Sequence, residues 1–304
     1  MKILVTNNTL GDMPGGSEWH AYELCLALKR LGHVVYAYTP SPGWFYNQLI
    51  VNDVVCSTKP PEEKFDLILA SHTSTIDLID RSKTEGRMIQ ICHGVYPKLE
   101  QPSGKVDFHV AISDEVKSHL ENVGYDCEVI HNGVDHSKFK AVSNGHGVLS
   151  MCQGSLANKM IEESCKKIGV QFQSFNKFNR YSYNLDEVIP IFDVVVSLGR
   201  GAYEAMACNK KVVILDSRHY INSNVCIGDG IVTSDNACSL LTHNMSGRAL
   251  SIEYNQDGVD NLIEEALQSD NQNLRRFSEE HMNIDIQAKK YCDLKDGTGV
   301  QRRA

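Results

Sequence analysis

Short apolar, β-branched runs alternate with amphipathic helical segments along most of the chain, and polar turns separate them. This alternation is typical of βαβ units, in which parallel strands form a sheet that helices cover on both faces. The sequence therefore predicts the α/β class, with doubly wound parallel sheets.

In the first half, the pattern predicts six strands and one clear helix. The helix spans residues 17–31, where Ser17 can cap the first turn and Gly32 can end the last. The predicted strands span residues 2–6, 34–38, 67–71, 87–92, 108–112 and 128–131.

A second series of strands and helices begins after the polar, glycine-rich stretch 143–147, whose composition is typical of an interdomain hinge. Its predicted strands span residues 148–152, 170–175, 193–197, 211–215 and 230–233, and its predicted helices 158–168, 202–208, 259–268 and 284–293. We predict domains at 1–144 and 145–280 and a C-terminal segment at 281–304 with a frayed tail. Doubly wound sheets bind ligands beyond the carboxyl ends of their strands, so two facing domains predict a ligand cleft.

The composition narrows the classes of function. A chain of 304 residues with 42% hydrophobic and 22% charged residues is long enough for two cores. The formal charge of −8 argues against a general duplex-binding surface, which needs an excess of Lys and Arg. We find no transmembrane or signal segment and no CxxC pair among the ten cysteines, so we expect buried, reduced thiols and a cytoplasmic protein.

The first candidate motif is the loop NNTLGDMPGG, which lies between a strand and a helix. Gly15 and Gly16 let the backbone approach a ligand closely, and the following helix N-terminus offers N–H groups to an anion such as a diphosphate. The alternative is that the two glycines only make a tight turn. The loop contains neither GxGxxG nor GxxxxGK[ST].

The second motif is DVVVSLGRGAYEAMACNKKVVILD, which reads as strand, glycine-flanked turn, short helix and strand. Gly199 and Gly201 give the turn conformational freedom, and Arg200 can form an ion pair with phosphate. Two roles are open for the Glu204 carboxylate. Either the positive end of the helix dipole favours it, or it accepts hydrogen bonds from both hydroxyls of a ribose. Ala202 and Tyr203 are further candidates in the same segment.

Three segments, in this order, resemble the retaining GT-B glycosyltransferases of the group 1 or family 4 type. They are GGSEWHAYELCLALKRLGH, VAISDEVKSHLENVGYDCEVIHNGVDHSKF and YEAMACNKKVVILD. The resemblance runs from residue 1 to about residue 291. It implies two Rossmann-like domains facing across a cleft, and C-terminal helices that cross back to the first domain.

The resemblance also implies a donor site. The family pairs an Arg with a Lys about five residues later, and here Lys159 matches the lysine whereas Gly154 stands at the arginine position. Glu204 matches the glutamate that holds the nucleotide ribose. The family's other glutamate, eight residues earlier, is Val196 here. Arg200 is our candidate for the missing phosphate contact.

A histidine that follows a strand of the first domain meets the reacting sugar in this family. His93 matches it, and His72 is the rival. The segment HNGVD resembles the domain-crossover signature, for which we expect an αL or Asx-turn role at Asn132 and Gly133 and a capping role at Asp135.

These observations predict a hexosyl- or pentosyltransferase that moves a sugar from a UDP- or GDP-linked donor to an acceptor hydroxyl. The resemblance implies retention of anomeric configuration, and no metal or other cofactor is expected. The acceptor is a glycan, a lipid, a small molecule or a modified DNA base. The alternative is a nucleotide-sugar-binding or interaction protein that has lost catalysis, because Gly154 and Val196 replace expected polar residues.

Overall fold

The computed structural model describes residues 1–13, 15–142, 144–178, 180–218, 224–270 and 272–296. The chain forms two compact units. One comprises Met1–Gly133 and the segment from Ile284 onward, and the other comprises Val134–Asn283. The predicted boundary at 144 and 145 falls inside the second unit, and residues 297–304, for which we expect a frayed tail, lie outside the described residues.

The first unit is built on a seven-stranded parallel sheet with the strand order β3-β2-β1-β4-β5-β6-β7. Its strands are β1 (Lys2–Thr6), β2 (Val34–Tyr38), β3 (Val55–Ser57), β4 (Lys64–Ala70), β5 (Glu85–Cys92), β6 (Phe108–Ala111) and β7 (Cys127–Val129). The helices before the chain leaves this unit are α1 (Gly16–Arg30), α2 (Trp44–Val51), α3 (Thr73–Leu78) and α4 (Asp114–Asn122). The predicted α/β class is confirmed.

The second unit has a six-stranded sheet with the order β13-β12-β11-β10-β8-β9. Its strands are β8 (Val148–Ser150), β9 (Phe172–Ser174), β10 (Val194–Ser197), β11 (Lys211–Asp216), β12 (Cys226–Ile231) and β13 (Ile252–Tyr254). Its helices are α5 (Ser155–Ile168), α6 (Leu185–Val188), α7 (Arg200–Ala207), α8 (Ala237–Leu241), α9 (Gln256–Gln268) and α10 (Leu274–His281).

One strand of this sheet, β12, runs antiparallel to the others. β12 pairs antiparallel with β11 and with β13. A parallel connection needs a crossover of about a dozen residues or more, whereas β11 ends at Asp216 and β12 begins at Cys226. The chain therefore returns in the opposite direction and forms an antiparallel edge.

The glycine-rich stretch that predicts a hinge is packed within the second unit. The N–H of His146 donates to the carbonyl of Ile191, and a Cβ at Gly145 would lie 2.1 Å from the carbonyl oxygen of Phe192. These glycines therefore allow a close backbone approach.

The last described helix, α11 (Ile284–Asp293), belongs to the first unit. It packs along α1, where a guanidinium nitrogen of Arg30 lies 2.7 Å from a carboxylate oxygen of Asp285. The C-terminal segment thus completes the unit that begins with residue 1.

All ten cysteines are free thiols. The four that lie in apolar runs are buried as expected: Cys25, Cys92, Cys152 and Cys208. The expectation of buried thiols is wrong for three others: Cys56 and Cys292, which are half-buried, and Cys238, which is exposed. Within the described ranges, no helix is long and apolar enough to span a bilayer.

Candidate functional site

The second unit has a topological switch point between β8 and β10. From β8 the chain passes through α5 to β9 on one side, while β10 and β11 lie on the other side. Open α/β sheets bind ligands in the crevice beyond the carboxyl ends of the strands at such a point. The N-termini of α5 and α7 follow these two neighbouring strands directly.

The N-terminus of α5 is capped by a carboxylate from the end of β11. The N–H groups of Gln153 and Gly154 donate to Asp216 over 3.1 and 2.9 Å, and the N–H of Ala157 donates to Oγ of Ser217 over 3.1 Å. Asp216 is 2% exposed and also pairs with the guanidinium of Arg218. The chain thus itself supplies acceptors for the N–H groups of residues 153, 154 and 157 at this helix end.

This cap explains the glycine at position 154. A Cβ there would lie 2.1 Å from both the carbonyl oxygen and Oγ of Ser217, and 2.8 Å from Oδ1 of Asp216. An arginine, which the resemblance expects here, would collide with the cap. The cap formed by Asp216 and Ser217 therefore accounts for the absence of an arginine at position 154.

Arg200 and Glu204 form an ion pair within the first turns of α7. Nε of Arg200 donates to Oε1 of Glu204 over 2.8 Å, and the two side chains are 9% and 2% exposed. Arg200 is thus committed to a protein carboxylate as well as being our candidate for phosphate. The i,i+4 spacing is the sequence signal for this pair.

The turn before α7 needs its glycines. Gly199 has a φ of +55°, a conformation that favours glycine, and its N–H donates to the carbonyl of Met245. A Cβ at Gly201 would lie 2.3 Å from Oγ of Ser197, so the helix starts tightly against β10. Ala202 and Tyr203 are fully buried core residues, and the Tyr203 hydroxyl bonds to Asn244.

Val196 lies inside β10 with its side chain in the core that α5 and α9 cover. β10 passes into α7 through Leu198 and Gly199 alone. The position eight residues before Glu204 is therefore a core position of the sheet, which accounts for its apolar side chain.

Lys159 lines an open groove of about 630 Å³ beside the first turns of α5. Its side chain is 72% exposed and lies 3.9 Å from Glu163. The other lining residues are polar or aromatic: Gln153, Ser155, Asn158, Glu162, Phe172, Gln173, Ser174, Asn176, Phe178 and Arg180. Asn158 holds the groove together, because its amide bonds to Ser150 and Ser174 and to the carbonyls of Cys152 and Gly154.

The groove has the character of a nucleoside site. Phe178 is 65% exposed and offers an aromatic face, while amide side chains supply donors and acceptors for a base edge. Phe178 and Arg180 were missed by the sequence reasoning, because they lie in a loop with no motif.

In the first unit, Gly15, directly before α1, makes room for a protein carboxylate, whereas a Cβ at Gly16 would meet nothing within 4 Å. The helix begins at Gly16, and a Cβ at Gly15 would lie 2.3 Å from a carboxylate oxygen of Glu18. The hydroxyl of Ser17 donates to this carboxylate over 3.1 Å, so the prediction that Ser17 caps the helix is wrong. The anion that we expected at this helix end is at least partly supplied by Glu18.

His93 lies directly after β5 in a cluster of three histidines. Its ring centroid is 5.0 Å from that of His20 and 6.3 Å from that of His72. Its Nε2 is buried and has no hydrogen-bond partner among the described residues. Burial, followed by the two neighbouring rings, holds the pKa of His93 well below its ordinary value.

The other two rings of the cluster are held in acceptor roles. Nδ1 of His72 accepts the N–H of Asn8 over 3.2 Å, and burial lowers the pKa of His72 to about 4. Oε1 of Gln287 accepts the N–H of Gly133, so its Nε2 must donate to His20 over 3.1 Å. Because the pKa values of His72 and His93 are lowered, these two rings are neutral at pH 7 and can exchange hydrogen bonds with an uncharged ligand.

Glu100 adds a carboxyl group beside His93. A Cβ at Gly94 would lie 2.5 Å from Oε2 of Glu100. Burial and then the charge of Glu18 raise the pKa of Glu100 to about 7, so it can accept or release a proton near neutrality. Glu100 lies in none of the motifs found in the sequence.

The HNGVD segment lies where the chain passes from the first unit to the second. Neither Asn132 nor Gly133 has a positive φ, so the predicted αL role is wrong. Asp135 accepts both the N–H and the hydroxyl of Ser137, as its predicted capping role requires.

Among the described residues, no group of three His, Cys, Asp or Glu side chains could hold a metal ion.

Comparison with known proteins identifies the fold. Neither a protein-family model nor a curated protein sequence matches the chain. Among solved structures, a Rickettsia africae glycosyltransferase shares 15% identity over 97% of both chains with a TM-score of 0.64. Anabaena HepE in complex with UDP and glucose shares 13% identity over 96% of this chain and 98% of its own, with a TM-score of 0.65.

A third structure is an α-glucosyltransferase in complex with UDP and a 13-mer DNA that contains an HMU base. It shares 10% identity over 98% of this chain and 100% of its own, with a TM-score of 0.57. At these identities the likeness concerns the fold, and the predicted GT-B fold is confirmed.

Proposed function

We propose that this protein is a glycosyltransferase that moves a sugar from a UDP- or GDP-linked donor to an acceptor hydroxyl. The observation that carries the proposal is the second unit's switch point, where the N-termini of α5 and α7 follow neighbouring strands and the first turns of α5 line a groove suited to a nucleoside. The UDP complexes of HepE and of the α-glucosyltransferase support this class of ligand.

In this proposal the nucleoside occupies the groove lined by Lys159 and Phe178, and the diphosphate lies toward the N-termini of α5 and α7. Glu204, Gly199 and Gly201 shape the ribose and phosphate positions, with Gly154 leaving the α5 cap in place. Arg200 orients Glu204 through their ion pair and remains a candidate phosphate ligand. In the first unit, Gly15 and Gly16 remain candidate donor-binding residues, as the resemblance implies.

His93, with His72 as its rival, forms a hydrogen bond to the reacting sugar, as the resemblance implies. A neutral ring can do this without placing a fixed charge beside the transferred group. The leaving diphosphate is stabilised by Lys159 and by helix N-termini, so we expect turnover in the presence of a chelator. Retention of configuration follows from the resemblance, and the ten free thiols fit a cytoplasmic location.

A panel of UDP- and GDP-sugars tests the proposal by thermal shift and by release of nucleoside diphosphate. At 100 times its Kd, the correct donor stabilises the fold by about 2.7 kcal/mol, which raises Tm by about 5 to 10 °C. Acceptors in the panel are a glycan, a lipid, a small molecule and DNA with a hydroxymethylated base.

Tight donor binding without hydrolysis or transfer would favour the alternative of a binding protein that has lost catalysis. The cap at Gly154 is the observation behind that alternative, because it removes an expected cationic contact. A panel in which no nucleotide sugar shifts Tm would contradict both.

A further inference from the structure

We infer that Arg218, from the segment after β11, supplies the phosphate-binding guanidinium that position 154 cannot carry. This inference rests on the proposed function and names a donor-binding residue within it. It starts from the exclusion at Gly154, where Asp216 and Ser217 fill the space of a side chain.

Arg218 is anchored at the same helix end. Its Nε lies 2.5 Å from Oδ2 of Asp216, and its side chain is 15% exposed. The same carboxylate accepts the N–H groups of Gln153 and Gly154. The Asp216 carboxylate therefore bridges the guanidinium of Arg218 and the N-terminus of α5, although Arg218 is far from Gly154 in sequence.

A small cavity adjoins the side chain of Arg218. It is lined by Leu198, Asp216, Arg218, Val225, Ile227, Ser246 and Gly247 and measures about 10 Å³. This is about the room that a single water-sized oxygen needs. Leu198 directly follows β10, and Asp216 is the last residue of β11, so the cavity lies at the carboxyl ends of these two strands.

The cavity contains a polar group that lacks a partner. Ser246 is 7% exposed, and within the described part of the chain its buried Oγ has no hydrogen-bond partner. A buried hydroxyl without a partner is costly, so the site favours a ligand oxygen. A phosphate oxygen in the cavity would accept hydrogen bonds from Ser246 and from Arg218.

The charges in the cavity suit a phosphate despite Asp216. That carboxylate is buried and already accepts backbone N–H groups besides pairing with Arg218, so its charge is balanced within the protein. The guanidinium has further N–H donors, and the N-terminus of α7 lies beyond Gly199. Arg200, by contrast, directs its Nε to Glu204.

The test compares the affinity of a nucleoside diphosphate with that of its nucleoside, by calorimetry. UDP with uridine, and GDP with guanosine, are titrated into the wild type, and the pair that binds is used with the variants. Arg218→Gln is expected to weaken diphosphate binding by about 10- to 100-fold and nucleoside binding by less than about twofold. Arg218→Lys should recover part of the loss, and Ser246→Ala should weaken only the diphosphate.

Arg276→Gln is the matched control, because Arg276 is 79% exposed in the same unit and pairs with Glu280. It should leave both affinities unchanged. Equal weakening of diphosphate and nucleoside by Arg218→Gln would overturn the inference, because it would indicate a structural role. A selective loss with Arg200→Gln but not with Arg218→Gln would also overturn it. If neither UDP nor GDP binds the wild type, the proposed function fails and the inference fails with it.

Discussion

Arg200→Ala is expected to lower the free energy of unfolding of the second unit by about 3 to 5 kcal/mol. The substitution leaves the carboxylate of Glu204, which is 2% exposed, without the guanidinium that it now contacts over 2.8 Å. Removing one partner of a buried ion pair costs more than the pair itself contributes, because a charge stays buried. Glu204→Gln in the Arg200→Ala background should recover part of the loss.

The measurement is urea unfolding followed by circular dichroism and by tryptophan fluorescence. The chain has two tryptophans, Trp19 and Trp44, and both lie in the first unit. Fluorescence therefore reports on the first unit, and a transition seen only by circular dichroism reports on the second.

Arg276→Ala provides the control for this experiment. Arg276 and Glu280 form the same i,i+4 pair on α10, but their side chains are 79% and 53% exposed. Exposed pairs contribute at most about 1 kcal/mol, so this variant should unfold like the wild type. Equal effects of the two alanine substitutions would contradict the account of the Arg200–Glu204 pair.

His93→Ala is expected to lower kcat/KM for sugar transfer by about 100-fold while leaving the Kd for the nucleoside diphosphate within about twofold. The ring lies beyond β5 with a buried, unpartnered Nε2, and its depressed pKa keeps it neutral at pH 7. Removing a hydrogen bond made in the transition state lowers turnover without weakening binding of the nucleotide, for which we propose a site on the second unit.

His146→Ala is the control, because His146 is exposed and lies outside the proposed site. His72→Asn tests the rival residue, since an amide oxygen can still accept the N–H that Asn8 now donates. We expect this variant to lose less than about tenfold. Full turnover in His93→Ala, together with a large loss in His72→Asn, would move the role to His72.

The sequence predicted the elements whose burial repeats regularly. The strands β1 and β2 and the helix α11 lie where the apolar pattern placed them, because the strands are short, mostly buried apolar runs and the helix buries one stripe. The short edge strands β3 and β13 escaped prediction, since their residues are mostly exposed or only partly buried. Their pairing depends on neighbouring strands.

The site was predictable only in part. Glycine-flanked turns and the EAMAC-like helix located Gly199 and Glu204 at the end of β10, where the structure has them. The ion pair of Arg200 could have been inferred from the spacing of four residues, which is a general property of helices.

The cap by Asp216 could not be predicted, because it joins positions about 60 residues apart that only the fold brings together. Because of this cap, position 154 has no room for a side chain, which explains why the expected cationic contact is absent there. Glu100 was missed for the same reason, since its raised pKa comes from burial and from Glu18 across the fold.

The most direct test of the central claim, a nucleotide-sugar site at the switch point of the second unit, is hydrogen–deuterium exchange with and without saturating UDP or GDP. The account predicts slower exchange in residues 153–160 and 197–204, which contain the N-termini of α5 and α7, and in the groove loop 175–178. Saturating nucleotide that leaves all three segments unchanged would contradict the claim.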